Sequence, residues 1–206
     1  MSELPNPQLS PWRLRLVKLA KWSALLSLLL TAIGWLSWQI AIAWIVPDYS
    51  DLVHQAQQAG IFYSRDGRIL RMFPNVQEEF LLPSPPASFP LVLRQAFLAA
   101  EDRRFYEHIG FDPYAILRSF WLNVSHQKIL SGASTITQQL IRMAKPAPRT
   151  FRQKIIEIFL AAKLETRMSK EEIFSAYMNL APMGGNVRGA PLAALVYWNK
   201  SLDQIT

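Results

Sequence analysis

The sequence predicts a mainly α fold with one small β hairpin, set behind a single membrane-crossing helix. Three observations predict it. Residues 22–46 run without a formal charge and are dominated by leucine and isoleucine, long enough to cross a bilayer as a helix. Asp66-Gly67 sits between two short apolar stretches within Gly60 to Phe73, the pattern of a tight hairpin. From Ser88 onward, apolar residues recur at helical spacing behind cap and proline signals.

Taken in order, residues 1–21 form a cytoplasmic tail whose first eleven residues hold three prolines and little apolar material, so that stretch reads as disordered. The span at 22–46 carries Trp22 and Trp44 near its ends, as interfacial aromatics do. A cleaved signal peptide competes with this reading. The run is longer than an ordinary signal h-region, which favours an uncleaved anchor. Arg13, Arg15, Lys18 and Lys21 precede the span and Asp48 and Asp51 follow it, so the N-terminus is expected inside and the remainder outside the cytoplasmic membrane, in the periplasm or an equivalent space.

Residues 47–87 read as a linker containing the hairpin, with Leu82 to Pro86 as an extended connector. Residues 88–206 read as the main domain. Ser88 is the expected N-cap of a helix with Pro90 in its first turn, running to Glu101. Asp112-Pro113 repeats the device and opens Tyr114 to Val124, whose Phe120, Trp121 and Leu122 suit either a core or a bilayer surface. A basic loop, Lys145 to Thr150, leads to a helix from Phe151 to Arg167, expected to turn Ile155, Ile156 and Phe159 toward the core. Ser169 and Glu172 have capping-box spacing for a last helix through Asn179.

The net charge of +7 divides into +3 before Trp22 and +4 after it. A basic domain held against a membrane attracts anionic headgroups and pyrophosphates, and nucleic acid is not expected on that side. The chain has no cysteine, so disulfides, thiol switches and thiolate metal sites are excluded; its three histidines are too scattered for a metal site.

Two segments put polar groups where packing does not ask for them. Glu101 and Asp102 follow the apolar run Ala96 to Ala100 and precede two arginines and His108. A carboxylate at a helix C-terminus faces the negative end of the dipole, a setting that suits a base. Ser131, Ser134, Thr135, Thr137, Gln138 and Gln139 cluster around Gly132 and supply neutral donors for an oxygen-rich ligand.

These residues resemble the peptidoglycan glycosyltransferases, the family 51 domain of class A penicillin-binding proteins and of monofunctional transglycosylases. Glu101, Asp102, Phe105, His108 and Gly110 match the family's first motif, E-D-x-x-F-x-x-H-x-G, and Gly132 to Gln139 match its second. The third, R-K-x-x-E, is met by Lys154 and Glu157 but has Gln153 at its first position. The fourth resembles Ser169 to Ile173 followed by Tyr177-Met178-Asn179. Ala181 to Asn186 resembles the 1C group of the class A proteins.

The resemblance implies a lysozyme-like glycosyltransferase domain acting on lipid II and a lipid-linked glycan chain at the membrane, with other cell-wall synthesis proteins as further partners. It implies Glu101 as the base and Glu157 as a second catalytic carboxylate that orients the sugar-phosphate or holds a divalent cation such as Mg or Mn. No organic cofactor is implied. Asp102, His108, Ser134, Thr135, Gln138, Gln139 and Lys154 would contact substrate, with Lys154 neutralising the departing pyrophosphate. Arg149 or Arg152 would stand in for the guanidinium missing at Gln153. The chain ends in a segment resembling the interior of the family domain, so the last helices and any transpeptidase domain are expected to be absent.

Ser125 and Lys128 have the S-x-x-K spacing of transpeptidases, but no S-x-N or K-T-G follows, so the match reads as chance. Two other functions compete: an inactive membrane scaffold that binds lipid II, favoured by Gln153, and a lysozyme-like hydrolase. The Ser134 to Gln139 segment, with no second acid nearby, argues against hydrolysis.

Overall fold

The computed structural model describes residues 11–56, 58, 60–75, 77–126 and 132–205; the expected tail at 1–10, Lys128 and Ser131 lie outside them. The chain forms two compact units divided between Ile45 and Val46. The first is helix α1 (Pro11–Ile40), which widens into a π turn over Ala41–Ile45. Within it, Lys18–Trp44 is long and apolar enough to cross a membrane, with a mean hydropathy of 1.8.

The second unit begins with α2 (Ser50–Ala56), which buries Val53. The expected hairpin follows as β1 (Gly60–Tyr63) and β2 (Ile69–Phe73), antiparallel, with Gly60 opposite Phe73. Gly67 has the positive φ of 77° that the turn demands. Beyond it, β3 (Phe80–Leu81) pairs in parallel with β4 (Val187–Arg188), joining the connector to a segment more than a hundred residues away. The connector is pinned a second time. The Asn179 Nδ2–H donates to the Ser84 carbonyl at 2.9 Å, and the Ser84 N–H donates to Asn179 Oδ1 at 3.0 Å.

Helix α3 (Leu91–Glu101) starts later than expected. Ser88 does not cap it; Ser88 belongs to a 3-10 turn and its hydroxyl donates to the Pro85 carbonyl. The physical reason is Pro90, which biases the residue before it toward extended backbone, so buried Phe89 separates the turn from the helix. The second cap is as expected: α4 (Pro113–His126) opens with the Tyr114 and Ala115 N–H groups donating to Asp112 Oδ1. The apolar side chains of α4 do not enter the core. Tyr114, Leu117, Phe120, Trp121 and Val124 are all exposed, Trp121 to 72%.

The core is built by α5 (Ile136–Ala144) packed between α6 (Phe151–Leu164) and α7 (Lys170–Leu180), with α8 (Ala190–Trp198) against α7. Phe105, Ile136, Leu140, Leu164, Ile173, Phe174 and Met178 are its fully buried centre. The Ser169/Glu172 capping box is formed at the start of α7. Helix α6 ends at Leu164 rather than Arg167, and its inward face differs from the expectation. Glu157 is buried with Leu160, Ala161 and Leu164, while Ile155 and Ile156 are exposed and Phe159 is half-buried. Positions 157, 160, 161 and 164 share one stripe at helical spacing. A carboxylate is tolerated there because a cation on α5 answers it.

Candidate active site

Glu101 is the last residue of α3 and stands exposed. Its Oε2 accepts a 2.9 Å hydrogen bond from Gln139 Nε2 on α5. Tyr177 of α7 lies within its field: burial first, then the negative charge of Glu101, pushes the Tyr177 hydroxyl well above the ordinary tyrosine value.

Asp102 turns the other way. It is buried, and its Oδ2 accepts from His108 Nε2 at 2.9 Å and from the Ile136 N–H at 3.1 Å, at the N-terminus of α5. The first motif is thereby fastened to the second, with a carboxylate where the helix dipole favours one. Gly110 allows a close approach to α6: its φ is +85° and a Cβ there would lie 2.5 Å from the Ala161 carbonyl carbon. Thr135 caps α5 in a capping box with Gln138 and donates its hydroxyl to the Gly110 carbonyl at 2.6 Å. Gln138 is fully buried, whereas Ser134 and Gln139 remain half-exposed.

The third motif faces inward. Lys154 Nζ donates to Ser134 Oγ in a short hydrogen bond. Burial, and then the neighbouring Arg142 guanidinium, hold the Lys154 ammonium below the ordinary lysine value, with Glu157 acting against them. Glu157 Oε2 is buried without a hydrogen-bond donor and faces Arg142 Nη1 at 3.4 Å.

Arg142 was not singled out from the sequence. Its signal is helical spacing alone, since a residue three after Gln139 shares its face on α5.

Two clefts meet at this cluster. One, of about 830 Å³, is lined by Glu101, Arg103, Tyr114, Arg118, Ser134 and Thr135 among others. The other, of about 720 Å³, is lined by Ser134, Gln139, Arg142, Gln153, Lys154 and Glu157, together with Arg149. Ser134 borders both. Arg152 is exposed and lines neither.

No group of three or more His, Asp or Glu side chains that could hold a metal occurs among the described residues. One carboxylate oxygen facing a guanidinium, in the field of an ammonium, does not fit a divalent cation.

The geometry therefore offers an exposed carboxylate lining one cleft, linked through one amide to a second cleft whose wall carries cations. Residues 66–206 match the family model described as Transglycosylase. The chain is 37% identical over 174 residues to penicillin-binding protein 1A of Neisseria gonorrhoeae, covering 81% of this chain and 21% of that protein. It is 31% identical over 165 residues to penicillin-binding protein 1C of Escherichia coli K12, covering 80% and 21%. To penicillin-binding protein 1A of Rickettsia bellii it is 34% identical over 166 residues, covering 78% and 21%. The chain thus spans about a fifth of the length of the curated relatives it matches. The model match covers well over half of the residues, and the chain belongs to the transglycosylase family.

Proposed function

We propose that this chain is a membrane-anchored peptidoglycan glycosyltransferase that polymerises lipid II into β-1,4 glycan and releases undecaprenyl pyrophosphate. One observation carries the reading: the Glu101 cleft and the Lys154–Arg142 cleft share Ser134 and are bridged by the Gln139–Glu101 hydrogen bond.

In this reading Glu101 takes the proton from the 4-hydroxyl of the acceptor N-acetylglucosamine, whose oxygen attacks the anomeric carbon of the lipid-linked chain. The bond from that carbon to the phosphate oxygen breaks, the electron pair leaves with the pyrophosphate, and the α linkage becomes β. Lys154 and Arg142 stabilise the charge that develops on the leaving group. Glu157 holds Arg142 in place and orients the sugar-phosphate through it. Asp102, His108, Thr135 and Gln138 act behind the surface by fixing the two motifs to each other. Arg149 is the loop cation at the second cleft.

The apolar face of α4 meets the bilayer surface beside the Glu101 cleft, where a lipid-linked substrate enters. The uncharged span at 22–46 crosses the membrane with the N-terminus in the cytoplasm, following the basic residues ahead of the span and Asp48 and Asp51 behind it.

Incubation of the purified chain with lipid II in detergent or nanodiscs tests the proposal. Polymer supports it. Binding without product sinks it in favour of a scaffold, and cleavage of preformed glycan sinks it in favour of a hydrolase. Hydrolysis would require a second free carboxylate beside Glu101. Asp102 is turned inward onto His108, and Glu157 faces Arg142.

A further inference from the structure

Glu79 and Arg188 line the second cleft and have no part in the scheme above. We infer that Arg188 is a fixed phosphate-recognising cation of the leaving-group cleft, and that Glu79 is a fixed counter-ion that tempers its hold on the pyrophosphate. The inference rests on the reading of that cleft as the pyrophosphate site.

The backbone delivers Arg188 to one place. It lies in β4, between Gly184 and Gly185, both with positive φ, and Gly189, whose φ is +79° and whose added Cβ would sit 2.3 Å from the Asn179 carbonyl oxygen. The Phe80 N–H donates to the Asn186 carbonyl at 2.9 Å, and the Gly189 N–H donates to the Ala181 carbonyl at 2.8 Å. The guanidinium is three-quarters buried, and its Nη2 makes a short hydrogen bond to Glu79 Oε1. A guanidinium carries five N–H donors in a rigid fork, so this bond leaves donors for two phosphate oxygens.

Glu79 is held independently of Arg188. Its N–H donates to Asn75 Oδ1 at 2.9 Å, and its Oε2 accepts from Asn75 Nδ2 at 3.5 Å. An arriving phosphate therefore meets both an attractive guanidinium and a repelling carboxylate that stays where it is. The cleft wall carries Arg142, Arg149, Lys154 and Arg188 against Glu79 and Glu157, an excess of positive charge before any ligand binds. Gln153 lines the same cleft, so the guanidinium missing from the third motif is supplied from β4.

The two partners should act with opposite sign. With inorganic pyrophosphate as probe and the full chain in detergent, Arg188→Ala is expected to weaken binding about tenfold. Glu79→Gln is expected to tighten it about threefold, because an amide keeps the shape without the charge. Arg188→Lys should bind between the parent and Arg188→Ala, and the Glu79→Gln/Arg188→Ala double variant should bind better than Arg188→Ala alone, because the repelling charge is gone, but less well than Glu79→Gln.

A purely structural ion pair predicts instead that both single changes lower the melting temperature and shift binding the same way; that result overturns the inference. If Lys154→Ala weakens pyrophosphate binding while Arg188→Ala and Arg188→Lys do not, Arg188 loses the role and the cleft keeps it. If Lys154→Ala also has no effect, the reading of the cleft itself falls.

Discussion

Gln139 Nε2 donates to Glu101 Oε2 at 2.9 Å across 38 residues of sequence, so an amide on α5 sets the direction in which the α3 carboxylate points. In the proposed reaction Glu101 Oε1 receives the acceptor hydroxyl. Gln139→Ala should leave the carboxylate in place but unaimed. Polymerisation is expected to fall about a hundredfold, as for a misplaced reacting group, with little change in melting temperature. A turnover equal to the parent's would show that the hydrogen bond does not orient the base.

Glu101→Gln should reduce polymerisation by about 10² to 10⁴, the span of general-base catalysis, because the amide cannot accept the proton. Glu101 is exposed, so thermal stability should hold. A parallel loss of stability and activity would assign Glu101 a structural role.

The lowered proton affinity of Lys154 gives its contribution a pH signature. Burial disfavours the ammonium, so the charge is lost as pH rises through a value below the ordinary lysine range. Pyrophosphate affinity should therefore decline at lower pH than an exposed lysine would allow. Lys154→Arg, whose guanidinium stays charged, should flatten that decline, and identical pH profiles for the two proteins would remove Lys154 from phosphate contact.

Gly110→Ala should cost about 2 to 5 kcal/mol, combining a strained positive φ with overlap against the α6 backbone. Chemical denaturation reads this directly. A loss under 1 kcal/mol would mean that the first motif can draw back from α6, and activity would then report how much the site depends on their contact.

Removal of residues 1–46 should leave a protein that still needs detergent, because the α4 side chains Phe120 and Trp121 remain exposed. Trp121→Ser within that shortened chain should lessen the requirement. A monodisperse, detergent-free product without any substitution would contradict bilayer contact by α4.

Local features were the legible part of the sequence. The hairpin at Asp66-Gly67, the Asp112 cap and the Ser169/Glu172 box each depend on residues a few positions apart, and each is formed. Ser134, Gln139, Lys154 and Glu101 were readable as a set only through motif resemblance, since 20 residues separate Lys154 from Ser134 and 38 separate Gln139 from Glu101.

Apolarity misled the reading of α6, where Ile155, Ile156 and Phe159 were expected to face the core and Glu157 is buried instead. Its burial depends on Arg142 from another helix, a pairing that periodicity does not contain. The Glu79–Arg188 pair spans 109 residues and leaves no local trace. Ser88 failed as a cap because Pro90, read as a first-turn proline, instead kept Phe89 extended.

The double hydrogen bond between Asn179 and Ser84 bears on where the catalytic unit begins. A fragment starting at residue 88, where the helical pattern begins, would omit β3 and both partners of that bond's near side. It would expose β4 as a bare edge, take Ser84 away from the Asn179 amide, and strip Arg188 of its counter-charge. Such a fragment should be prone to self-association through β4 and altered in its affinity for anions. A boundary ahead of the hairpin, at Val46, keeps these tethers within one piece.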